Sequence, residues 1–290
     1  IRQITFQPDL RYLENEKAGF LESRQRGGDF RIEFENSDQF SLGFTDSYER
    51  LVEDEEISAF IRQEFEDRGI TIHTSATVES LAVGNDNVTP TIMTEDGPIK
   101  ATYDRAILAV GVTGNVEELG LETTSAQVDK GAIVVNEWLE TAEPGVYALG
   151  DVAGPPLLAH KAMHEGVVCA EHIAGLETVR PIERGRIPGC TYCRPQIASV
   201  GLTEHAANES GFNVRVGRFP LLGNGKAIAI GDTAGMIKTV FDAETDELLG
   251  AHLVGPNVTE MIQGFVVAMG LETTEAELMD TIFPHPTLSE

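Results

Sequence analysis

The chain has 290 residues, 41% of them hydrophobic and 23% charged, which suits a globular protein with a sizeable core. Its 47 acidic and 21 basic residues leave a formal charge of −26, a field that repels nucleic-acid backbones and anionic lipid headgroups. No apolar run approaches the ~18 residues needed to span a bilayer, so neither nucleic acid nor membrane is expected as a partner.

The opening Ile1-Arg2-Gln3 carries no Met and no basic-then-apolar leader. Three cysteines are too few for a secreted disulfide framework, so a reducing cytoplasm is the expected setting. Residues 1–50 show no helical or strand period. Regular patterning begins after Leu51. Glu53–Arg68 predicts an amphipathic helix, with Ile57, Phe60, Ile61 and Phe65 on one face, acidic residues in the first turn and Gly69 at the end. Ile70–Thr74, Thr77–Val83, Val88–Met93, Ile99–Tyr103 and Arg105–Val110 follow as short predicted strands. Gly145–Asp151 predicts another strand. His160–Ala174 predicts a helix with Met163, Val167, Ala170 and Ala174 along one side and Gly175 as its stop.

Residues 177–189, with Pro181, Pro188 and Gly189, mark a linker into a second region of alternating elements. There Ala198–Gly201, Val214–Phe219, Met236–Phe241 and Leu248–Val254 predict strands, the last two as a hairpin. Glu204–Ser210 and Thr259–Met269 predict helices. Thr274 and Glu277 have capping-box spacing.

Four stretches carry possible chemistry. The chain ends His285-Pro286-Thr287-Leu288-Ser289-Glu290, where a histidine that titrates near neutrality has a carboxylate five residues on, and proline restricts the backbone. The alternative is a surface histidine in a Pro-rich tail. Asp151 follows an apolar run, a position suited to accepting hydrogen bonds from a ribose or ribityl hydroxyl, or to capping the next segment. Cys190 and Cys193 have CxxC spacing, but a zinc site needs two more ligands and Cys169 is the only other cysteine; structural thiols are the expectation, and no metal. Gly223-Asn224-Gly225-Lys226 lacks the full spacing and Ser/Thr of a phosphate loop and is expected to be a hairpin turn.

Together these segments resemble the pyridine nucleotide–disulfide oxidoreductase family, and within it the dihydrolipoyl dehydrogenase branch. Ala109-Val110-Gly111 resembles the end of the nicotinamide-binding domain. Val146–Gly154, including Gly150 and Asp151, resembles the second flavin-contacting segment. Leu158-Ala159-His160-Lys161-Ala162 with Glu165-Gly166 favours this branch over glutathione or mercuric reductases. Ile197–Thr203 and Arg218–Lys226 resemble the start of the dimerisation domain, and His285–Glu290 its acid–base motif. The resemblance implies FAD and NAD as cofactors. It implies Asp151 on the flavin ribityl chain, the backbone of Leu158, Ala159 and His160 near the flavin ring, and Gly111 and Gly150 in cofactor-binding turns. His285 becomes the acid–base, oriented by Glu290. The implied partners are a second copy in a homodimer and the lipoyl domain of a 2-oxo-acid dehydrogenase complex.

The implied fold is α/β, a remnant of a flavoprotein with two dinucleotide-binding domains plus an α+β dimerisation domain. Its expected parts are a degenerate NAD-binding domain over 1–115, a FAD-domain segment over 116–176 and the dimerisation domain over 177–290. The departures are specific. The sequence has neither an FAD GxGxxG nor a CxxxxC redox pair. In the stretch that should hold the NAD glycines, Gly28, Glu33 and Phe34 fit, but Arg26 and Arg31 stand at glycine positions, where a side chain blocks close backbone approach. These departures imply an incomplete or rearranged gene product that is inactive alone. The competing expectations are a non-catalytic dimerisation module, another FAD-dependent disulfide reductase, and a thiol or metal protein built on Cys190 and Cys193.

Overall fold

The computed structural model describes residues 53–109 and 111–290, and the backbone of strand segments at 11–12, 21–22, 32–36 and 39–43. Arg26, Gly28 and Arg31 lie outside the described residues. The chain divides into two compact units, one joining 1–110 with 185–290 and the other covering Gly111–Arg184.

The first unit contains β1 (Arg11–Tyr12), β2 (Leu21–Glu22), β3 (Ile32–Asn36) and β4 (Gln39–Gly43). Helix α1 (Glu55–Asp67) and β5 (Ile70–His73) follow. Strands β3 and β4 occupy a stretch where the sequence shows no period. Glu33 and Phe34 lie in β3, so the glycine-poor stretch does not run into a helix as a dinucleotide loop would. With β9 (Arg105–Leu108), these strands form a sheet in the order β5-β4-β3-β9, parallel only between β4 and β5. Strands β6 (Thr77–Val83), β7 (Val88–Thr94) and β8 (Gly97–Lys100) make a separate antiparallel meander. The strand expected at Ile99–Tyr103 is shifted toward its turn. Tyr103 instead makes an isolated bridge to Val88.

Helix α1 begins two residues later than its acidic pattern suggests because Asp54 is its cap. The Asp54 carboxylate accepts from the Glu56 amide at 3.0 Å, and Glu55 and Glu56 then face the positive end of the helix dipole. Gly69, at φ +82°, ends it.

The rest of this unit is one five-stranded antiparallel sheet in the order β12-β13-β16-β15-β14. Its members are β12 (Gly189–Thr191), β13 (Gln196–Gly201), β14 (Val214–Pro220), β15 (Met236–Asp242) and β16 (Leu248–Gly255). Helix α5 (Val258–Gly270) covers one face, packing Val258, Ile262, Ala268 and Met269 on Ala198, Val200, Phe241 and Leu253. Each such large apolar side chain contributes about 1.5–3 kcal/mol on burial. Helix α1 covers the other face through Ile57, which packs on Ile197 and Val254 with Phe60, Ile61 and Met236 around them. Covered on both sides, every residue of the central strand β16 is buried. Helix α6 (Glu275–Asp280) starts with the capping box expected from Thr274 and Glu277.

Beneath the start of α1 the sheet is polar. Cross-strand register places Ser199, His252, Lys238 and Arg218 in one row over β13, β16, β15 and β14. Lys238, only 2% exposed, donates to Asp54 at 2.8 Å and to Glu56 at 2.7 Å, and it lies 2.7 Å from Glu204, the first residue of helix α3 (Glu204–Glu209). Burial disfavours the Lys238 ammonium, but the hydrogen bonds to Asp54, Glu204 and Glu56 outweigh it and raise its pKa. Arg218 holds Glu56 down at about 2, against desolvation and with help from Lys238. Among the described residues Glu53 has no such cation. Burial pushes its pKa up to about 7, partly offset by the Ser199 hydroxyl donating at 3.4 Å and reinforced by the Asp54 charge.

The second unit holds the short pair β10 (Val128–Asp129) and β11 (Ala132–Ile133) and helix α2 (Ala159–Ile173). The strand expected over Gly145–Asp151 does not form. Only an isolated bridge joins Tyr147 to Glu140, and Gly150–Ala153 closes into a 3-10 turn. A strand requires a ladder partner, and left-handed glycines, Gly145 at φ +80° and Gly150 at φ +74°, bracket this run. The apolar side of α2 faces outward. Met163 is 72% exposed, and Val167, Ala170 and Ala174 are exposed with it, while Lys161, Glu165 and Cys169 point inward. Among the described residues no helix is long and apolar enough to cross a membrane.

Replacing Lys238 with Met strips the buried Asp54 carboxylate of its cation. We expect a loss of about 3–5 kcal/mol, read from urea unfolding of the chain. Glu53 acts in the opposite sense. Its pKa of about 7 in the fold exceeds the ordinary 4.5, so the folded state binds more protons between these values and stability falls as pH rises through them. Glu53→Gln removes that fall. The variant should match the parent near pH 4.5 and exceed it at pH 8 by about 1–3 kcal/mol. Urea midpoints at the two pH values check the difference.

Candidate functional site

The chain's last six residues form one candidate. The Nδ1 of His285 lies 2.7 and 2.8 Å from the two oxygens of Glu290, a bidentate contact that fixes the ring and makes Nδ1 the proton-bearing nitrogen. The Nε2 lone pair is then left for a proton in transit. Both side chains are exposed, as exchange with a substrate requires.

The segment is held by a residue of the stretch expected to be a hairpin turn. Asn224, buried at the start of helix α4 (Gly225–Ile230), caps that helix by accepting from Lys226 and Ala227 at 3.0 and 2.9 Å. Its amide nitrogen donates to the Thr287 carbonyl at 3.1 Å. The expected hairpin turn at Gly223–Lys226 is therefore a helix start. Asn ahead of Gly-Lys-Ala-Ile is a legible cap signal, but the tail contact is invisible at a separation of 63 residues.

The second candidate lies in the other unit. Gly150 is buried, Asp151 is exposed, and both begin the 3-10 turn. Leu158 is the N-cap of α2, half-buried and with no side chain capping the helix, and Ala159 and His160 are exposed in its first turn. The helix start is bonded to the turn, since Lys161 donates to the carbonyls of Gly150 and Gly154. The sequence-predicted residues Gly150, Asp151, Leu158, Ala159 and His160 are thus brought together. Gly111 is exposed at φ +97°, a conformation that favours glycine. Three residues on, a Cβ on Gly114 would stand 2.7 Å from Val152 Cα and 2.8 Å from the Asp151 carbonyl oxygen, so two loops meet here backbone to backbone.

This arrangement fits part of a flavin nucleotide. Asp151 offers an exposed acceptor for polyol hydroxyls. The uncapped start of α2 offers amide donors and a positive dipole end to an electron-rich ring edge.

Cys190 and Cys193 form no disulfide, and burial, with the Glu260 and Glu53 charges, pushes Cys190 above the ordinary thiol range. The Cys193 sulfur contacts the Pro195 carbonyl at 3.0 Å. The surroundings of Cys190 do not promote a thiolate. Among the described residues no group of three or more His, Cys, Asp or Glu side chains is placed to hold a metal.

Residues 46–166 match the family model for pyridine nucleotide-disulphide oxidoreductases, and residues 187–290 match the dimerisation domain of the same family. Dihydrolipoyl dehydrogenase of Rhizobium etli is 58% identical over 240 residues, covering 82% of this chain and 50% of that protein. Its counterpart in Zymomonas mobilis is 53% identical, covering 82% and 52%. Among solved structures, LpdA from Mycobacterium tuberculosis aligns with a TM-score of 0.75 at 28% identity, over 82% of this chain and 51% of that one. The HOCl-induced flavoprotein disulfide reductase RclA from Escherichia coli aligns with a TM-score of 0.73 at 25% identity, over 86% and 57%. The chain spans about half the length of the curated relatives it matches.

The double duty of Asn224 yields a prediction. Asn224→Ala removes a helix cap and leaves buried amides without an acceptor, at a cost of about 1–3 kcal/mol. Chemical denaturation should show that loss, and hydrogen exchange should show the Ala227 amide deprotected.

Proposed function

The chain belongs to the pyridine nucleotide-disulphide oxidoreductase family, and from that premise we propose that it carries the acid–base and flavin-facing parts of a dihydrolipoyl dehydrogenase. The observation that carries the reading is the His285–Glu290 pair at 2.7 Å, at the end of the segment matched by the dimerisation domain. The identities of 58% and 53% to two dihydrolipoyl dehydrogenases support this activity.

The substrate class is a dithiol on a lipoyl group, and thiol–disulfide exchange sets what the protein must do. The thiolate is the attacking species, so a dithiol must first give up a proton. His285 takes it at Nε2. Glu290 accepts from Nδ1, holds the ring in one tautomer and stabilises the imidazolium that results. FAD, when bound, supplies the two-electron acceptor between the dithiol and NAD. Asp151 would hold its polyol chain, with Gly150 and Gly111 forming the turns beside it. The backbone of Leu158, Ala159 and His160 would lie along its ring edge. The redox disulfide of the family has no counterpart here, since Cys169, Cys190 and Cys193 include no CxxxxC pair. By this reading the isolated chain does not turn over alone. The working unit is a homodimer, serving the lipoyl domain of a 2-oxo-acid dehydrogenase complex. A reducing cytoplasm suits a chain whose three cysteines form no disulfide.

Fusing the chain behind the N-terminal half of the Rhizobium etli relative tests the reading. In that chimera His285→Gln should cut dihydrolipoamide oxidation by about 100- to 10,000-fold, the usual contribution of a proton-transfer group. Flavin content and dimer mass should stay unchanged. Glu290→Gln should cost less, because the imidazole remains. A His285→Gln chimera with near-normal turnover, or one that simply loses its flavin, would overturn the assignment.

A further inference from the structure

Lys161 and Glu165 are the least expected residues in the interior of the second unit. They are 2% and 3% exposed, one turn apart on the inward face of α2, with Nζ and Oε1 3.2 Å apart. Taking two charges out of water costs several kcal/mol per ion, and an apolar pair of similar volume is often as stable or more so. The pair is therefore a poor choice for stability by itself. Its partners indicate what it does. Glu165 accepts from the Gly150 amide at 2.7 Å, while Lys161 donates to the Gly150 carbonyl at 3.1 Å and the Gly154 carbonyl at 2.8 Å. Gly150 and Gly154 are both buried, with φ of +74° and +91°, at the two ends of the turn that displays Asp151. Without the pair, the Gly150 amide and the Gly154 carbonyl would lose these buried partners, at about 1–3 kcal/mol each.

We propose that Lys161 and Glu165 are positioning residues for the flavin. They form a buried, charge-assisted clamp that grips the turn from behind, at both glycines. Asp151 and the uncapped first turn of α2 are thereby presented on one outer surface in a fixed relation. Both halves of the clamp lie on the helix that also supplies Ala159 and His160, so turn and helix start move as one body. The flavin part rests on the reading of Asp151 given above; the clamp itself rests only on the bonds just described. The clamp also accounts for the outward turn of Met163 and Val167, because a helix cannot face both its Lys161–Glu165 row and its Met163–Val167 row inward at this width.

The test uses the 290-residue chain, FAD titration by fluorescence, and hydrogen exchange at the Gly150 amide. Lys161→Met alone leaves a buried carboxylate unpaired and lowers the melting midpoint. The double variant Lys161→Met with Glu165→Leu removes both charges and should recover most of that midpoint. It should nonetheless exchange the Gly150 amide at least tenfold faster and weaken FAD binding at least tenfold. A purely structural pair would instead give a double variant with parental Gly150 exchange and parental FAD affinity, and that result overturns the proposal. Asp151→Asn separates the two claims. If it weakens FAD binding while Gly150 stays protected, the flavin reading stands. If FAD binding is unchanged in Asp151→Asn, or undetectable in the parent chain, the flavin role is overturned, and the exchange arm still decides for or against the clamp.

Discussion

One buried ammonium organises the larger unit. Lys238 stands near the middle of the five-stranded sheet, and its charge is tolerable there only because Asp54, Glu56 and Glu204 converge on it from α1 and α3. The ion cluster fixes direction as well as place. Asp54 is also the N-cap of α1, so a single carboxylate ends the helix and docks it. With its start held over the polar row, α1 lays Ile57 on Ile197 and Val254, one pleat further along the sheet. Apolar burial supplies the larger favourable term, but it is non-directional, and the charge cluster selects one orientation from those that would bury similar area.

The surplus of acid in this cluster has a consequence for protonation. Three carboxylates share Lys238 and Arg218, and a fourth, Glu53, is left to the Ser199 hydroxyl. Beside it in the same row, His252 is driven toward its neutral form by burial, against the hydrogen bond to the Leu202 carbonyl. The row therefore mixes permanent charges with groups that desolvation keeps neutral. That balance limits the net charge buried beneath α1.

The smaller unit repeats the device at a different scale. Lys161 and Glu165 neutralise each other, and what they secure is a turn rather than a helix. The pair at the chain's end differs from both. His285 and Glu290 are exposed, and exposed ion pairs contribute only about 0–1 kcal/mol to stability. Their contact is accordingly of little use to the fold, which is why the proposed role in proton transfer falls to this pair. The buried pairs, by contrast, hold backbone.

Local sequence determined the elements whose causes are local. The period of Ile57, Phe60, Ile61 and Phe65 marked α1, the Thr274–Glu277 spacing marked a capping box, and the hairpin of β15 and β16 stood in its apolar runs. His285 and Glu290 were legible as a pair because five residues separate them and proline limits the paths between. Tertiary structure decided the rest, because the deciding partners are distant in the chain. The run Val146–Leu149 has strand composition but no neighbouring strand to complete a ladder, so it stays irregular between two left-handed glycines. Asn224 looked like a turn residue until it met the Thr287 carbonyl. On α2, hydrophobic spacing grouped Met163 and Val167 on one side, and the structure decided that Lys161 and Glu165 are the side that is buried. Hydrophobic periodicity weighs side chains only, whereas the buried side of this helix also meets backbone groups at Gly150 and Gly154 that take a donor and an acceptor.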